Sequence, residues 1–253
     1  MTLTPSLKIP KKPSKKFISN LLEEHYHLFN TSCSISQALP DPLGIARDFR
    51  DDKIALFCAL FSYGNVRAIM NFLQSCNLHS LKNHQISKCT SKSYRFQNNE
   101  EIQDFFQSLI NCNNLYRTFY KNYKNGSLIE GIYALQHLLY EKLSLNTKGL
   151  RFLIGKPYCN SPMKRWNMFL RCMVREDCLD LGLWKGIKKS DLILPLDTHT
   201  FRVSQRLGIL KRKTYDLQAA LEVSNFLKTL DKYDPIKYDF ALYRIGQLKL
   251  ISS

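Results

Sequence analysis

Nowhere in the 253 residues do apolar side chains run for the ~18 consecutive positions that a membrane span needs. The N-terminal stretch MTLTPSLKIPKKPSKKF likewise has no apolar core of the kind a secretory signal carries, so a cytoplasmic protein without a membrane partner is the expectation. Runs of alternating β-branched residues, the mark of strands with one buried face, are almost missing, which argues against a sheet protein. Cysteine occurs eight times, at positions 33, 58, 76, 89, 112, 159, 172 and 178, but no C-x-x-C pair and no Cys/His group has zinc or iron–sulfur spacing. Reduced thiols, mostly small core residues, are what remains. Acidic residues are the scarcer charge: 21 Asp and Glu stand against 37 Lys and Arg, a formal excess of +16. That balance points to a polyanionic partner, nucleic acid first.

What the chain does have is helical periodicity. With 44% hydrophobic residues and frequent Phe and Tyr it is globular, long enough for one domain or two small, closely packed ones. Residues 1–16 mix Pro, Ser and five lysines without a hydrophobic period and read as a basic flexible arm; without those lysines the excess falls only to +11, so the body is basic too. From residue 17 to 253 the reading is all-α. Apolar spacing predicts helices near 17–29, 49–61, 65–76, 100–110, 115–124, 127–143, 162–175, 198–207, 215–230 and 236–246. Breaks fall at Pro40-Asp41-Pro42, Gly64-Asn65, Asn125-Gly126, Gly155-Lys156-Pro157 and Asp234-Pro235.

Two of these helices start unusually. In NSPMKRWNMFLRCMVR, Ser161 reads as the N-cap, Pro162 as the first helical residue and Lys164 as a first-turn cation. Trp166, Phe169, Leu170 and Met173 mark the buried face, and Arg165, Arg171 and Arg175 point elsewhere. The orphan N–H groups, the positive end of the helix dipole and burial against Trp166 all disfavour a charged ammonium, and a neutral amine is a nucleophile. In LILPLDTHTFRVSQRLGIL the opposite holds: Asp197 opens a helix whose dipole and free N–H groups favour a carboxylate. A neutral lysine with an ionised aspartate is a pairing that supports acid/base or covalent chemistry. Each residue also has a plain reading, Asp197 as a cap and Lys164 as a solvent-facing side chain.

At these residues the sequence resembles the helix-hairpin-helix DNA glycosylase superfamily, whose bifunctional members carry a catalytic lysine at one helix start and a catalytic aspartate at a later one. Pro195, Asp197, His199, Arg202, Arg206 and Leu207 match its Pro-x-Asp-x-His-x-x-Arg-x-x-Arg-Leu pattern. The stretch DDKIALFCALFSYGNVRAIMNFL is similar to the family's early helix pair. That likeness brings Asn65 and Arg67 toward the strand opposite an extruded base; the alternative, that Gly64-Asn65 only makes a bend, stays open. The usual Leu-Pro-Gly-x-Gly hairpin is replaced by LIGKPYCNSPMK, and the interval from lysine to aspartate is long. Both features resemble the archaeal-type 8-oxoguanine glycosylase branch, and FLRCMVREDCLDLGLW with DPIKYDFALYRIG is most like a bacterial family related to it. The iron–sulfur cysteines of the endonuclease III branch are absent.

The resemblance implies a two-lobed helix-hairpin-helix glycosylase fold with a divergent hairpin. Its implied activity is a bifunctional DNA glycosylase/AP lyase of base excision repair, acting on an oxidised purine, with 8-oxoguanine first. The implied partner is double-stranded DNA containing a damaged base, bound by a monomer, with Lys164 and Asp197 catalytic and neither metal nor cofactor required. Trp166, Trp184, Tyr238 and Phe240 are candidates for the base pocket, each with a core role as the alternative. His199, Lys211, Arg212 and Lys213 are candidates for phosphate contacts, the KRK run reading otherwise as a solvated loop. Two other functions stay open: an alkylpurine glycosylase acting on 3-methyladenine, and a DNA-binding module that kept the fold without the chemistry.

Overall fold

Most helices here begin where a short polar side chain can take an orphan backbone N–H, and the caps explain the boundaries. Ser14 accepts from Phe17 N, Asp51 from Ile54 N, Asn98 from Glu101 N and Asp216 from Ala219 N. The structure, a computed structural model, describes residues 9–31, 40–248 and 250. Among these residues the chain forms thirteen α-helices and no β-strand, which is the all-α class. They are α1 (Lys15–Phe29), α2 (Pro42–Phe49), α3 (Asp52–Leu60), α4 (Val66–Gln74), α5 (Leu78–Lys82), α6 (Asn99–Ile110) and α7 (Leu115–Asn125), followed by α8 (Leu128–Lys142), α9 (Lys148–Ile154), α10 (Lys164–Val174), α11 (Thr198–Arg206), α12 (Leu217–Lys228) and α13 (Asp239–Gln247). None of the described helices is long and apolar enough to cross a membrane.

The centre of the molecule is α3, whose residues from Lys53 to Leu60 are all buried. A helix apolar on every side must be surrounded, and α2, α5, α6 and α10 pack on it. Phe57 sits among Phe61, Phe72, Phe105 and Phe106 with ring centroids 4.7 to 6.4 Å apart. A second set of contacts joins the two ends of the chain: α1 packs on α13, and α13 on α11.

Several expectations are corrected. The helix expected over 49–61 begins only at Asp52, because Arg50 adopts a left-handed conformation (φ 48°) that closes α2 at Phe49, and Asp51 caps the new start. The stretch after Pro40-Asp41 is helical, since Asp41 accepts from Leu43 N and Pro42 fills the first position. Two further helices, α5 and α9, are too short for periodicity to reveal. The arm expected over 1–16 gives way to helix at Lys15; residues 1–8 and Cys33 lie outside the described residues. The other seven cysteines are free, four of them buried.

The largest correction concerns α10. Trp166, Phe169, Leu170 and Met173 are buried as expected, but so are Arg171 and Arg175, at 5% and 4% exposed. They are satisfied by carboxylates: Arg171 by Asp180 and Asp239, Arg175 by Asp177, Asp180 and Asp234. Burial alone would lower the Arg171 pKa, yet Asp180 and Asp239 reverse this and raise it. The pairs tie α10 to the start of α13. Removing one partner leaves charges buried and unpaired, so Arg175→Met is expected to cost ~3–5 kcal/mol, read as a lowered urea midpoint. A loss below ~1 kcal/mol would show that water reaches these carboxylates.

Candidate functional site

Lys164 is the first residue of α10, and its helix start is held from outside rather than capped. Ser161 does not cap it: the N-cap is Met163, in a left-handed conformation (φ 48°), with no side-chain bond to the helix. Ser161 Oγ instead accepts from Met163 N at 3.3 Å. What fixes the start is a set of side chains gathered on the orphan carbonyls of α3 and α9. Arg165 donates to Leu60 O and Phe152 O, both at 2.6 Å. Trp166 Nε1 and Gln136 Nε2 both donate to Ile154 O, at 2.7 and 3.0 Å. Burial pushes the Arg165 guanidinium down to about 10.

Asp197 is the N-cap of α11, as its position suggested, and its carboxylate accepts from Thr200 N at 2.7 Å. Thirty-three residues apart in sequence, Lys164 and Asp197 line one cavity of about 620 Å³. Apolar side chains form much of its wall, including Phe169, Trp166 and Phe240, at 1%, 3% and 6% exposed. Among the described residues the Lys164 amine has no hydrogen-bond or salt-bridge partner, so it serves no visible structural pair.

Five helices bring their N-terminal ends to this cavity, through Asp41 of α2, Val66 of α4, Lys164 of α10, Asp197 of α11 and Asp239 of α13. Converging helix starts favour negative charge, and three carboxylates stand there. Asp239 is the most buried of the three; burial pushes its carboxyl up to about 6, against the pull of Arg171 and with Asp197 adding to the rise. Tyr243 also lines the cavity, its hydroxyl pushed up to about 12 by burial and the negative charge of Asp41, so it stays a hydrogen-bond donor. Among the described residues, two buried polar atoms of lining residues, Gln136 Oε1 and Thr200 Oγ1, have no hydrogen-bond partner.

The other expected site residues divide. Trp166, Phe240 and His199 line the cavity. Trp184 and Tyr238 do not: Trp184 packs against Tyr116, Phe119 and Phe169 and donates to Asp52 at 3.2 Å, while Tyr238 is fully buried and donates to Glu23. Both are core aromatics. Asn65 caps α4 by accepting from Arg67 N, next to the lining residues Gly64 and Val66, and Arg67 is exposed. Lys211 and Lys213 are exposed, whereas Arg212 is engaged by Asp216. The Arg171 and Asp239 pair, Gln136 and Tyr243 were not expected at the site. No sequence signal marks them, because their approach depends on how α8, α10 and α13 pack. Among the described residues no group of three or more His, Cys, Asp or Glu side chains is arranged to hold a metal ion.

Among the described residues, then, this is an all-helical protein with a cavity at converging helix starts. Residues 41–248 match the model of a family described as a protein of unknown function (DUF2400), and the chain belongs to that family. Every residue lining the cavity, from Asp41 to Tyr243, lies inside the matched segment. No curated protein and no solved structure matches.

Proposed function

We propose that this protein is a bifunctional DNA glycosylase/AP lyase that excises an oxidised purine, with 8-oxoguanine the preferred lesion. The observation that carries the reading is the meeting of Lys164 and Asp197, two helix-start residues far apart in sequence, on one largely apolar cavity. A purine leaving the stack needs such a pocket: stacking walls, a few polar groups to read its edge, and little water. In this reading Lys164 Nζ attacks C1′ of the sugar as the N-glycosidic bond breaks, and the base departs with the bonding electron pair and is protonated. Asp197 stabilises the positive charge that develops on the sugar. Ring opening with loss of a proton gives an imine, which acidifies the 2′ position; loss of a 2′ proton then expels the 3′ phosphate and cleaves the strand.

The fold reading is the two-lobed helix-hairpin-helix glycosylase fold. It is supported by a helix pair, α9 and α10, joined by residues 155–163 just before Lys164, and by the packing of α1 on α13, from the opposite end of the chain, and of α13 on α11. The partner is duplex DNA, bound by a monomer, and the +16 charge supports an electrostatic component. Binding is expected to weaken steeply with salt, with a log–log slope of about −0.9 per phosphate neutralised.

The test is a panel of duplexes carrying 8-oxoguanine, 3-methyladenine, uracil or thymine glycol, scored for base release. Release from 8-oxoguanine by at least ~10-fold over the others is the expected result, because groups that read a base edge discriminate more strongly than stacking does. Preference for 3-methyladenine would replace the substrate and keep the enzyme. Salt-sensitive binding without release from any lesion would leave a DNA-binding module.

A further inference from the structure

Two of the free cysteines meet where the chain leaves α4, and neither lines the cavity. Cys76 follows the last turn of that helix, and Cys89 belongs to the irregular segment between α5 and α6. Bonds on either side of the pair fix their approach. The Ser75 and Thr90 hydroxyls lie 3.1 Å apart, and Asn77 N donates to Cys89 O at 2.8 Å. Between these bonds the two thiols face each other, close enough for their side chains to share a hydrogen bond. The segment carrying Cys89 is itself anchored on α6: Cys89 N donates to Gln103 Oε1 at 2.7 Å, and Gln103 Nε2 donates to Ser87 O at 2.9 Å.

The two thiols differ in what reaches them. Cys76 is half-buried, with Ser75 half-buried and Asn77 exposed beside it, whereas Cys89 is buried. The hydrogen bond with Cys76 and burial both push the Cys89 thiol up, so it keeps its proton. A solvent-borne oxidant therefore meets Cys76 first. The Cys76 thiol now donates to Phe72 O at 3.4 Å, and S–H is a weak donor, so little opposes its turning toward Cys89.

We propose that Cys76 and Cys89 are a redox modification site, which a hydroperoxide converts to a reversible disulfide, Cys76 reacting first and Cys89 resolving it. The Cys76 sulfur, as thiolate, attacks one oxygen of the peroxide; the O–O bond breaks, leaving a sulfenic acid and, from hydrogen peroxide, one water. The Cys89 sulfur then attacks the Cys76 sulfur. The S–S bond forms as the S–O bond breaks, and the departing hydroxide takes the Cys89 proton as a second water. Two thiols have lost two electrons and two protons, and the peroxide has gained them. The cross-link closes the chain around α5 and ties the end of α4 to the segment bound on α6. Such a closure limits the unfolded chain more than the folded one, in which the two ends already touch. This site stands apart from the glycosylase reading and does not depend on it.

The experiment treats the full, reduced chain with hydrogen peroxide, blocks the remaining thiols with iodoacetamide, and maps the peptides of an unreduced digest by mass spectrometry. A peptide pair joined through Cys76 and Cys89 is expected as the main oxidation product, and dithiothreitol should separate it. Oxidation should raise the melting temperature on the order of 5 °C, and the reductant should return it. Cys76→Ser should form no such pair and show no such rise. Serine is close to cysteine in size and the position is half-buried, so the reduced variant should melt near the reduced wild type. Three results would overturn the site: linked peptides joined mainly through other cysteines, Cys76 carried on to sulfinic acid with Cys89 still a thiol, or a Cys76–Cys89 link that appears only when peroxide is added in urea. The peptide map needs no variant, so it decides the question even if Cys76→Ser fails to fold.

Discussion

Lys164→Gln is expected to abolish both the borohydride-trapped protein–DNA adduct and strand cleavage, on any lesion the wild type processes. If the amine displaces the base, the reaction passes through an imine, and borohydride reduces that imine to a stable amine linking protein and sugar. Glutamine keeps the polarity and much of the length of lysine but has no nucleophilic amine. Little stability should be lost with it, because among the described residues the Lys164 amine has no partner to leave unpaired. The control that matters most comes from the cavity itself, which is lined by a second lysine, Lys156, exposed on the loop before α10. Lys156→Gln should trap like wild type, as should replacement of Lys12 near the N-terminus. Exposed amines attack abasic sites adventitiously, so the comparison must use an intact lesion rather than a preformed abasic site. Lesion-dependent trapping that survives Lys164→Gln and disappears with Lys156→Gln would move the nucleophile to the loop.

Asp197→Asn should separate charge from capping. Asparagine caps helices about as well as aspartate, so the bond from Thr200 N survives and melting should shift by no more than the equivalent of a few tenths of a kcal/mol. The negative charge does not survive. If that charge stabilises the developing oxocarbenium ion, base release should fall on the order of a hundred- to a thousandfold while lesion binding persists. Asp197→Ala adds the cost of the missing cap, about 1 kcal/mol, to the same catalytic loss. An asparagine variant with full activity would make Asp197 a structural cap and nothing more. Release and binding falling together would mean that the residue holds the substrate, not the transition state.

Much of this protein was determined by the sequence alone, because the relevant physics is local. Helical periodicity gave the all-α class, and short polar residues gave helix starts such as Asp197 and Asp216, where a side chain bonds to a backbone group three positions away. The two ionisable helix-start residues stood out for the same reason: a helix dipole acts on its own first turn. Even locally there were limits, since Ser161 looked like the cap of α10 and the helix starts beyond it at Lys164, held by Arg165 and Trp166 reaching to distant carbonyls. Tertiary structure decided everything that depends on two segments meeting. It brought Lys164 and Asp197 to one cavity, turned Trp184 and Tyr238 into the core, and buried Arg171 and Arg175 where the pattern had them facing outward. Whether an aromatic lines a pocket or fills a core, and whether an arginine meets water or an aspartate, is set by what packs against the helix from elsewhere in the chain, and periodicity along one helix carries no record of that.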